Sequence, residues 1–229
     1  MTASTNLDAR AGAPGDVFTA DEQTAGRGRL DHRWLSAPGV NLMMSVVLPV
    51  GGIPLERAAT LPLVVGLAVQ SAVAKLLPGS SVAIKWPNDV YVVDRKIAGI
   101  LCERVGDNVV AGMGVNVNQT VFVPEIAARA TSLACEVPVG TSFEVPRVRN
   151  LVLDELDRVF ARWRTDGFAA LHARYAAVDW LKGRRVAVMQ TDSDKTPVSG
   201  LCGGVQVDGT LRVGDVSIYA GEAHVVSES

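Results

Sequence analysis

Two lysines, Lys85 and Lys96, bracket the acids Asp89 and Asp94 in the segment 85–99, and each stands at the edge of an apolar run with strand periodicity. Lys85 follows Val82-Ala83-Ile84. Lys96 opens the run 97–102 after the turn-like pair Asp94-Arg95. A cation at a strand end, with Gly99 permitting close backbone approach, suits an anionic ligand; the same pattern also fits a hairpin with ordinary exposed lysines. The run Gln23-Thr24-Ala25-Gly26-Arg27-Gly28-Arg29 alternates glycines with guanidinium groups, so it could fold over phosphate or carboxylate oxygens, or form a mobile surface loop. Ser4-Thr5-Asn6 offers two hydroxyls and an amide to an uncharged polar ligand head, or caps a helix. Asn116 and Asn118 follow an apolar strand as strand-end polar contacts or turn formers. Ordinary nucleotide motifs are absent: there is no Gly-x-x-x-x-Gly-Lys-Ser/Thr, and Gly112-Met113-Gly114 lacks the third glycine of a dinucleotide fingerprint.

The elements that must position these groups follow from hydrophobic period. Residues 17–20 predict a short strand, and 21–38 a polar, glycine-rich flap. A buried strand is predicted over 41–48, a buried helix over 54–77, and consecutive strands over 82–85, 90–93, 96–103 and 108–115, with a hairpin turn at Gly106-Asp107-Asn108. Apolar residues at three-and-four spacing behind Pro146 predict an amphipathic helix over 146–163, and a second helix follows over 168–177. Beyond Leu181 the texture becomes alternating, over 186–188, 198–207, 211–213 and 216–219, with a turn at Asp208-Gly209; this predicts a small barrel.

Composition bounds the function. The 229 residues are 48% hydrophobic, enough for a substantial core, and carry a formal net charge of −2 with a pI near 5.9. That balance disfavours a nucleic-acid groove, which needs surplus Lys and Arg. Cys102, Cys135 and Cys202 are odd in number and widely spaced, so neither a disulfide framework nor a zinc site is signalled and a reducing cytoplasm is expected. His32, His172 and His224 lack metal-ligand spacing. The N-terminus has no signal-peptide pattern, and the uncharged stretch 58–74 is too short and too interrupted for a membrane span.

Taken together, Ser4-Thr5-Asn6, the flap 23–29 ending in Arg33-Trp34, Lys85-Trp86-Pro87-Asn88-Asp89, Lys96-Ile97-Ala98-Gly99 and Gly112-Met113-Gly114-Val115-Asn116 resemble the biotin protein ligases in order and spacing. The resemblance implies an α+β fold: a mixed β-sheet flanked by helices, the catalytic domain of the class II aminoacyl-tRNA synthetase and biotin ligase type, over 1–180, with a small C-terminal β-barrel over 181–229. It implies activation of biotin by ATP and Mg2+ to biotinyl-AMP, then transfer to one lysine of a biotin carboxyl-carrier protein. Ser4, Thr5, Asn6, Gln23, Gly26, Arg27, Gly28, Arg29, Lys96 and Gly99 would bind biotin. Lys96, Arg27, Arg29 and Asp89 would be catalytic. Arg29, Arg33, Trp34, Lys85, Asn88 and Asn116 would bind the nucleotide, with magnesium arriving on ATP near Asp89 rather than in a protein-built site. A homodimer is compatible with the family. Neither nucleic acid nor membrane is an expected partner, since there is no room for the winged helix-turn-helix of many relatives. The sequence departs from the family at Leu30-Asp31-His32, at Val225-Val226, where an arginine is common, and in lacking the strand that ordinarily precedes Ser-Thr-Asn. A lipoate or octanoate ligase or transferase, and a catalytically impaired biotin-binding module, are the rival readings.

The cations fit this chemistry for a physical reason. A carboxylate attacking an α-phosphate meets a like charge, worth roughly 4 kcal/mol at about 4 Å near a protein surface. Lys96 and the flap arginines can cancel that repulsion and stabilise departing pyrophosphate without a covalent nucleophile.

Overall fold

The computed structural model describes residues 1–30, 32–190 and 196–226; Asp31 of the predicted flap lies outside them. Six strands, β1 (Val17–Ala20), β2 (Leu42–Pro49), β3 (Val82–Lys85), β4 (Asp89–Val92), β5 (Arg95–Val105) and β6 (Asn108–Val115), form one sheet in the order β1-β2-β6-β5-β4-β3. All five ladders between these strands are antiparallel, and the parallel component of the sheet is confined to isolated bridges such as Ile84 with Asp179 and Lys96 with Ala130.

Each strand sends alternate residues to opposite faces, so one face carries Met44, Val46, Ala111, Ile100 and Val90 into the core. Two helices cover that face, α3 (Leu61–Leu76) against the sheet and α5 (Val145–Asp166) against α3. The α3 residues are buried on nearly every side, which explains why its sequence is apolar all round rather than striped. The single helix expected over 54–77 is two: α2 (Leu55–Ala58), then a break at Ala59-Thr60, then α3. Pro62 is the cause, because its ring excludes the carbonyl four residues earlier and it has no N–H to continue the ladder. The second predicted helix is likewise divided, into a 3-10 turn at Phe168–Ala170 and α6 (His172–Ala176).

On the opposite face lie α1 (Thr5–Asp8) and the flap. The extended segment missing from the sequence reading has a short counterpart: Thr2 N–H donates to Glu22 O, and Thr24 and Ala25 donate to Thr2 O and Ala3 O, at 2.9–3.0 Å. The helix α4 (Pro124–Ala127) sits in the long connection after β6.

The C-terminal strands β7 (Arg185–Met189), β8 (Val198–Val205), β9 (Leu211–Val213), β10 (Val216–Ile218) and β11 (Glu222–Val225) form a second antiparallel sheet, ordered β10-β9-β8-β7-β11. The expected barrel is not closed among the described residues, because β10 and β11 end the order as unpaired edges. A bulge at Cys202/Gly204, with Gly204 at φ +95°, bends β8 so that its first half pairs with β7 and its second with β9. The result is a curled open sheet.

Candidate active site

The free face of the main sheet is floored by one row of residues in register across five strands: Met43, Gly114, Gly99, Asp89 and Lys85. Lys96 joins that face through an irregularity. Asp89 pairs with Gly99 while Tyr91 pairs with Lys96, so Ile97 is the extra residue of a bulge in β5. Lys96 and Gly99 stand an odd number of positions apart and would face opposite sides of a regular strand; the bulge turns both to the cleft.

Glycine makes the floor low enough to cover. A Cβ on Gly114 would come within 2.4 Å of the Trp34 ring, and one on Gly112 within 2.0 Å of Asn6 Oδ1. Trp34 therefore lies flat across Gly99 and Gly114. The flap that carries it is a narrow hairpin, with Gly28 N–H donating to His32 O (2.7 Å) and Trp34 N–H to Gly26 O (3.1 Å). Gly26 is required there, since its Cβ would meet Trp34 O at 2.5 Å.

Between flap and floor is a cleft that, with its mouth, encloses about 930 Å³. It is lined by Ser4, Thr5, Asn6, Gln23, Arg27, Gly28, Arg29, Arg33, Trp34, Lys85, Asn88, Asp89, Lys96 and Gly99, so the structure assembles nearly all the candidate residues in one place. Two stand apart. Gly26 forms the flap's base. Asn116 is buried, donating from Nδ2 to Thr131 O at 2.9 Å and accepting at its carbonyl from Leu133 N, so it pins the connection after β6 and does not line the cleft.

One end of the cleft is lined by uncharged polar side chains, with the Arg27–Glu103 ion pair bonded to Asn6. Gln23 Oε1 accepts from Thr5 N (2.7 Å) and Thr5 Oγ1 (3.1 Å), while Ser45 Oγ contacts both Thr5 Oγ1 and Asn6 Oδ1 at 2.7 Å. Asn6 Nδ2 donates to Leu101 O (3.3 Å) and to Glu103 Oε2 (2.8 Å). Ser4 makes no side-chain cap bond, so this segment does not serve as a helix cap.

The other end is cationic. Lys96 Nζ lies 2.7 Å from Asp89 Oδ1 and 5.9 Å from the centre of the Trp34 ring. Lys85 Nζ stands over Tyr91 and Trp180 at 5.6 and 5.9 Å. Arg29 donates to Asn88 Oδ1 (3.4 Å) and to Gly221 O (3.3 Å), and Asn88 Nδ2 is itself fixed on Ile100 O (2.8 Å). Burial lowers the pKa of Lys85 and of Arg29, against the opposing pull of Asp89 and Glu222. Arg27 donates to both oxygens of Glu103, at 2.9 and 3.1 Å.

Sequence reading did not single out Ser45, Glu103 or Glu222. The first two sit on cleft-facing positions of β2 and β5, a signal visible only once register is known. Glu222 arrives from the second sheet, and no local pattern announces that approach. Gly112 and Gly114, which fail as a dinucleotide motif, serve instead as the floor.

A model of the biotin/lipoate A/B protein ligase family matches residues 3–119. The biotin acetyl-CoA-carboxylase ligase of Mycobacterium tuberculosis is 37% identical over 197 residues, covering 82% of this chain and 72% of that protein. The enzyme of the same name from Paracoccus denitrificans is 35% identical, covering 77% of each. The bifunctional ligase/repressor BirA of Escherichia coli is 29% identical over 86% of this chain, which spans 61% of that protein's length. Among solved structures, the biotin protein ligase of Aquifex aeolicus in complex with biotin and ATP superposes with a TM-score of 0.86 at 27% identity, covering 99% of this chain and 96% of the other.

Proposed function

The chain belongs to the biotin/lipoate A/B protein ligase family, and we propose that it activates biotin with ATP to biotinyl-5′-AMP and passes the biotinyl group to a lysine of a biotin carboxyl-carrier protein. One observation carries the reading: a single glycine-floored cleft joins a hydrogen-bonding end, built from Thr5, Asn6, Gln23 and Ser45 beside the Arg27–Glu103 ion pair, to an end holding Arg29, Lys85 and Lys96.

The hydrogen-bonding end has a definite polarity. Both N–H groups of Asn6 and the Oε1 of Gln23 are engaged within the protein, and Asn6 Oδ1 accepts from Ser45 Oγ, which leaves the second lone pair of Asn6 Oδ1 as acceptor and Gln23 Nε2 as donor for a ligand. A ureido ring, with N–H donors beside a carbonyl acceptor, complements that pair. The dithiolane of lipoate offers neither, and a site built around hydrogen bonds disfavours an analogue that leaves its polar groups unpaired.

Biotin's valeryl chain then runs along the floor towards Lys96. The lysine and Arg29 neutralise the carboxylate and α-phosphate, so the carboxylate oxygen can attack phosphorus in line with departing pyrophosphate. Trp34 and the flap exclude water from the mixed anhydride. In the second step the acceptor amine attacks the acyl carbon and AMP leaves; Asp89 is the carboxylate nearest the reacting centre for the amine's proton. Asn88 and the carboxylates Asp89 and Glu222 are hard oxygen donors that fit a magnesium ion held mainly by phosphates and water. That ion would supply charge neutralisation at the triphosphate.

The test is biotin-dependent exchange of labelled pyrophosphate into ATP, followed by label transfer to a carrier protein. Exchange driven by lipoate, or biotin binding without exchange, overturns the proposal.

A further inference from the structure

Resting on that reading of the cleft, we infer that Glu103 determines which way the Asn6 amide points and thereby sets the head-group specificity of the site.

Glu103 lies on β5 two residues beyond Leu101 and four beyond Gly99, on the cleft-facing side, with only 15% of its side chain exposed. Its Oε2 accepts from Asn6 Nδ2 at 2.8 Å and faces Arg27 Nη1 at 3.1 Å. Its Oε1 accepts from Arg27 (2.9 Å) and from Arg10 Nη2 (3.0 Å). Burial alone would raise the acid's pKa, but the bonds from Asn6 and Arg10 and the charge of Arg27 outweigh it and hold the group ionised.

An ionised carboxylate only accepts. The amide nitrogen of Asn6 must therefore turn towards Glu103, and the oxygen towards Ser45 and the ligand. A neutral amide at position 103 weakens that constraint, since it can donate as well as accept and leaves only the longer bond to Leu101 O (3.3 Å) to hold the Asn6 nitrogen in place. The Asn6 amide can then turn over and present N–H groups where a ureido N–H must donate. Two donors would face each other, and the arrangement that prefers a head group with N–H donors is lost.

The same carboxylate, which stands on β5, holds Arg27 of the flap. Head-group pocket and flap thus share one anchor, and a ligand that orders Asn6 also supports the flap. Arg10, itself half exposed, donates to Glu103 Oε1, while Asn6 uses Oε2.

The experiment compares biotin with an analogue methylated on a ureido nitrogen, by equilibrium titration without ATP and by pyrophosphate exchange. Glu103→Gln should weaken biotin binding roughly tenfold or more, the scale of one charge-assisted hydrogen bond, while binding of the methylated analogue changes less. The preference between the two ligands shrinks accordingly. Arg10→Gln should leave that preference intact. Pairing Glu103→Gln with Asn6→Asp restores a donor opposite an acceptor at position 103 while losing the longer bond to Leu101 O, and should recover part of the preference, whereas Asn6→Asp alone places two carboxylates together and should not. Thermal unfolding of each variant reports whether the fold survives.

An unchanged preference in Glu103→Gln, or equal loss for both ligands, overturns the assignment. Failure of the wild-type protein to bind biotin at all would instead remove the proposed function itself, so the two failures are distinguishable.

Discussion

At the scale of single residues, the cleft works by placing charge where a bulge and a glycine floor permit it. Lys96 faces the ligand only because Ile97 is extruded from the β4–β5 register. Its ammonium is balanced at rest by Asp89, 2.7 Å away, and is the cation best placed to meet two approaching anions. Lys96→Ala should lower biotin-dependent pyrophosphate exchange by about 10²–10³-fold, the usual effect of removing one preorganised electrostatic group. The side chain is 34% exposed on the cleft and its loss opens no core cavity, so thermal unfolding should shift little; retained exchange activity would refute its assigned role. Gly114→Ala tests the floor. A Cβ there meets the Trp34 ring at 2.4 Å, so the indole must lift and carry the flap with it. Release of biotinyl-AMP should quicken several-fold, as measured by loss of the intermediate after isolation; an unaltered release rate would show that Trp34 does not cover the ligand.

At the scale of elements, strands and long helices were legible because hydrophobic period states them directly: β1, β3 and β6 match their predicted spans, and α5 begins where Pro146 predicts. What was not legible depends on register and on distant partners. The period of β5 gives no sign of its bulge, the missed β11 is polar at Glu222 and His224, and the bonds of Asn116 to Thr131 and Leu133 join segments that no local pattern pairs. Helix packing also contains a device invisible to period, the buried Glu155 of α5. It receives Lys75 of α3 (2.6 Å), Arg158 (2.7 Å) and Arg174 of α6 (3.1 Å), and so ties three helices together. Burial raises the Glu155 pKa, but the bonds from Lys75 and Arg174 and the surrounding cations lower it by more, leaving a net depression. A depressed folded-state pKa means that the stabilisation is complete above the unfolded carboxylate pKa near 4.5 and is lost as pH falls through the folded value. Glu155→Gln should cost about 1–3 kcal/mol at neutral pH, less than a fully buried pair because the three cations are half exposed. Denaturant titrations at pH 7 and below pH 4 should show the gap between variant and parent closing in acid; a gap independent of pH would place the effect in packing instead.

At the scale of the whole molecule, the second sheet is docked at several separate points, and they do not touch the two ends of the cleft equally. Asp179 accepts from Val205 N (2.8 Å) and Leu181 N (3.0 Å), His172 Nε2 meets Val205 O (2.8 Å), and Trp86 Nε1 donates to Gly209 O (3.2 Å). Arg29, from the flap, reaches Gly221 O, and Glu222 lies beside it on the cationic side. The pocket around Asn6 rests on α1, β2, β5 and the flap, and among the described residues none of its hydrogen bonds reaches the second sheet. Loosening the dock should therefore disturb nucleotide binding more than biotin binding. Trp86→Phe is a suitable probe, since it keeps an aromatic ring at a buried position, removes one donor from a backbone carbonyl and leaves a small cavity where the indole was larger. The lost bond is worth about 1 kcal/mol, or roughly 2–4 °C in melting temperature for a chain of this size, and the cavity lowers it further. With Gly209 displaced, Gly221 and the Arg29 tether shift as well, and the KM for ATP should rise several-fold while the biotin dissociation constant stays within about twofold, since only the former depends on the interface. Equal losses for both ligands would mean that the second sheet supports the cleft as a whole, and the division of the site into a core-built pocket and a docked nucleotide side would have to be abandoned.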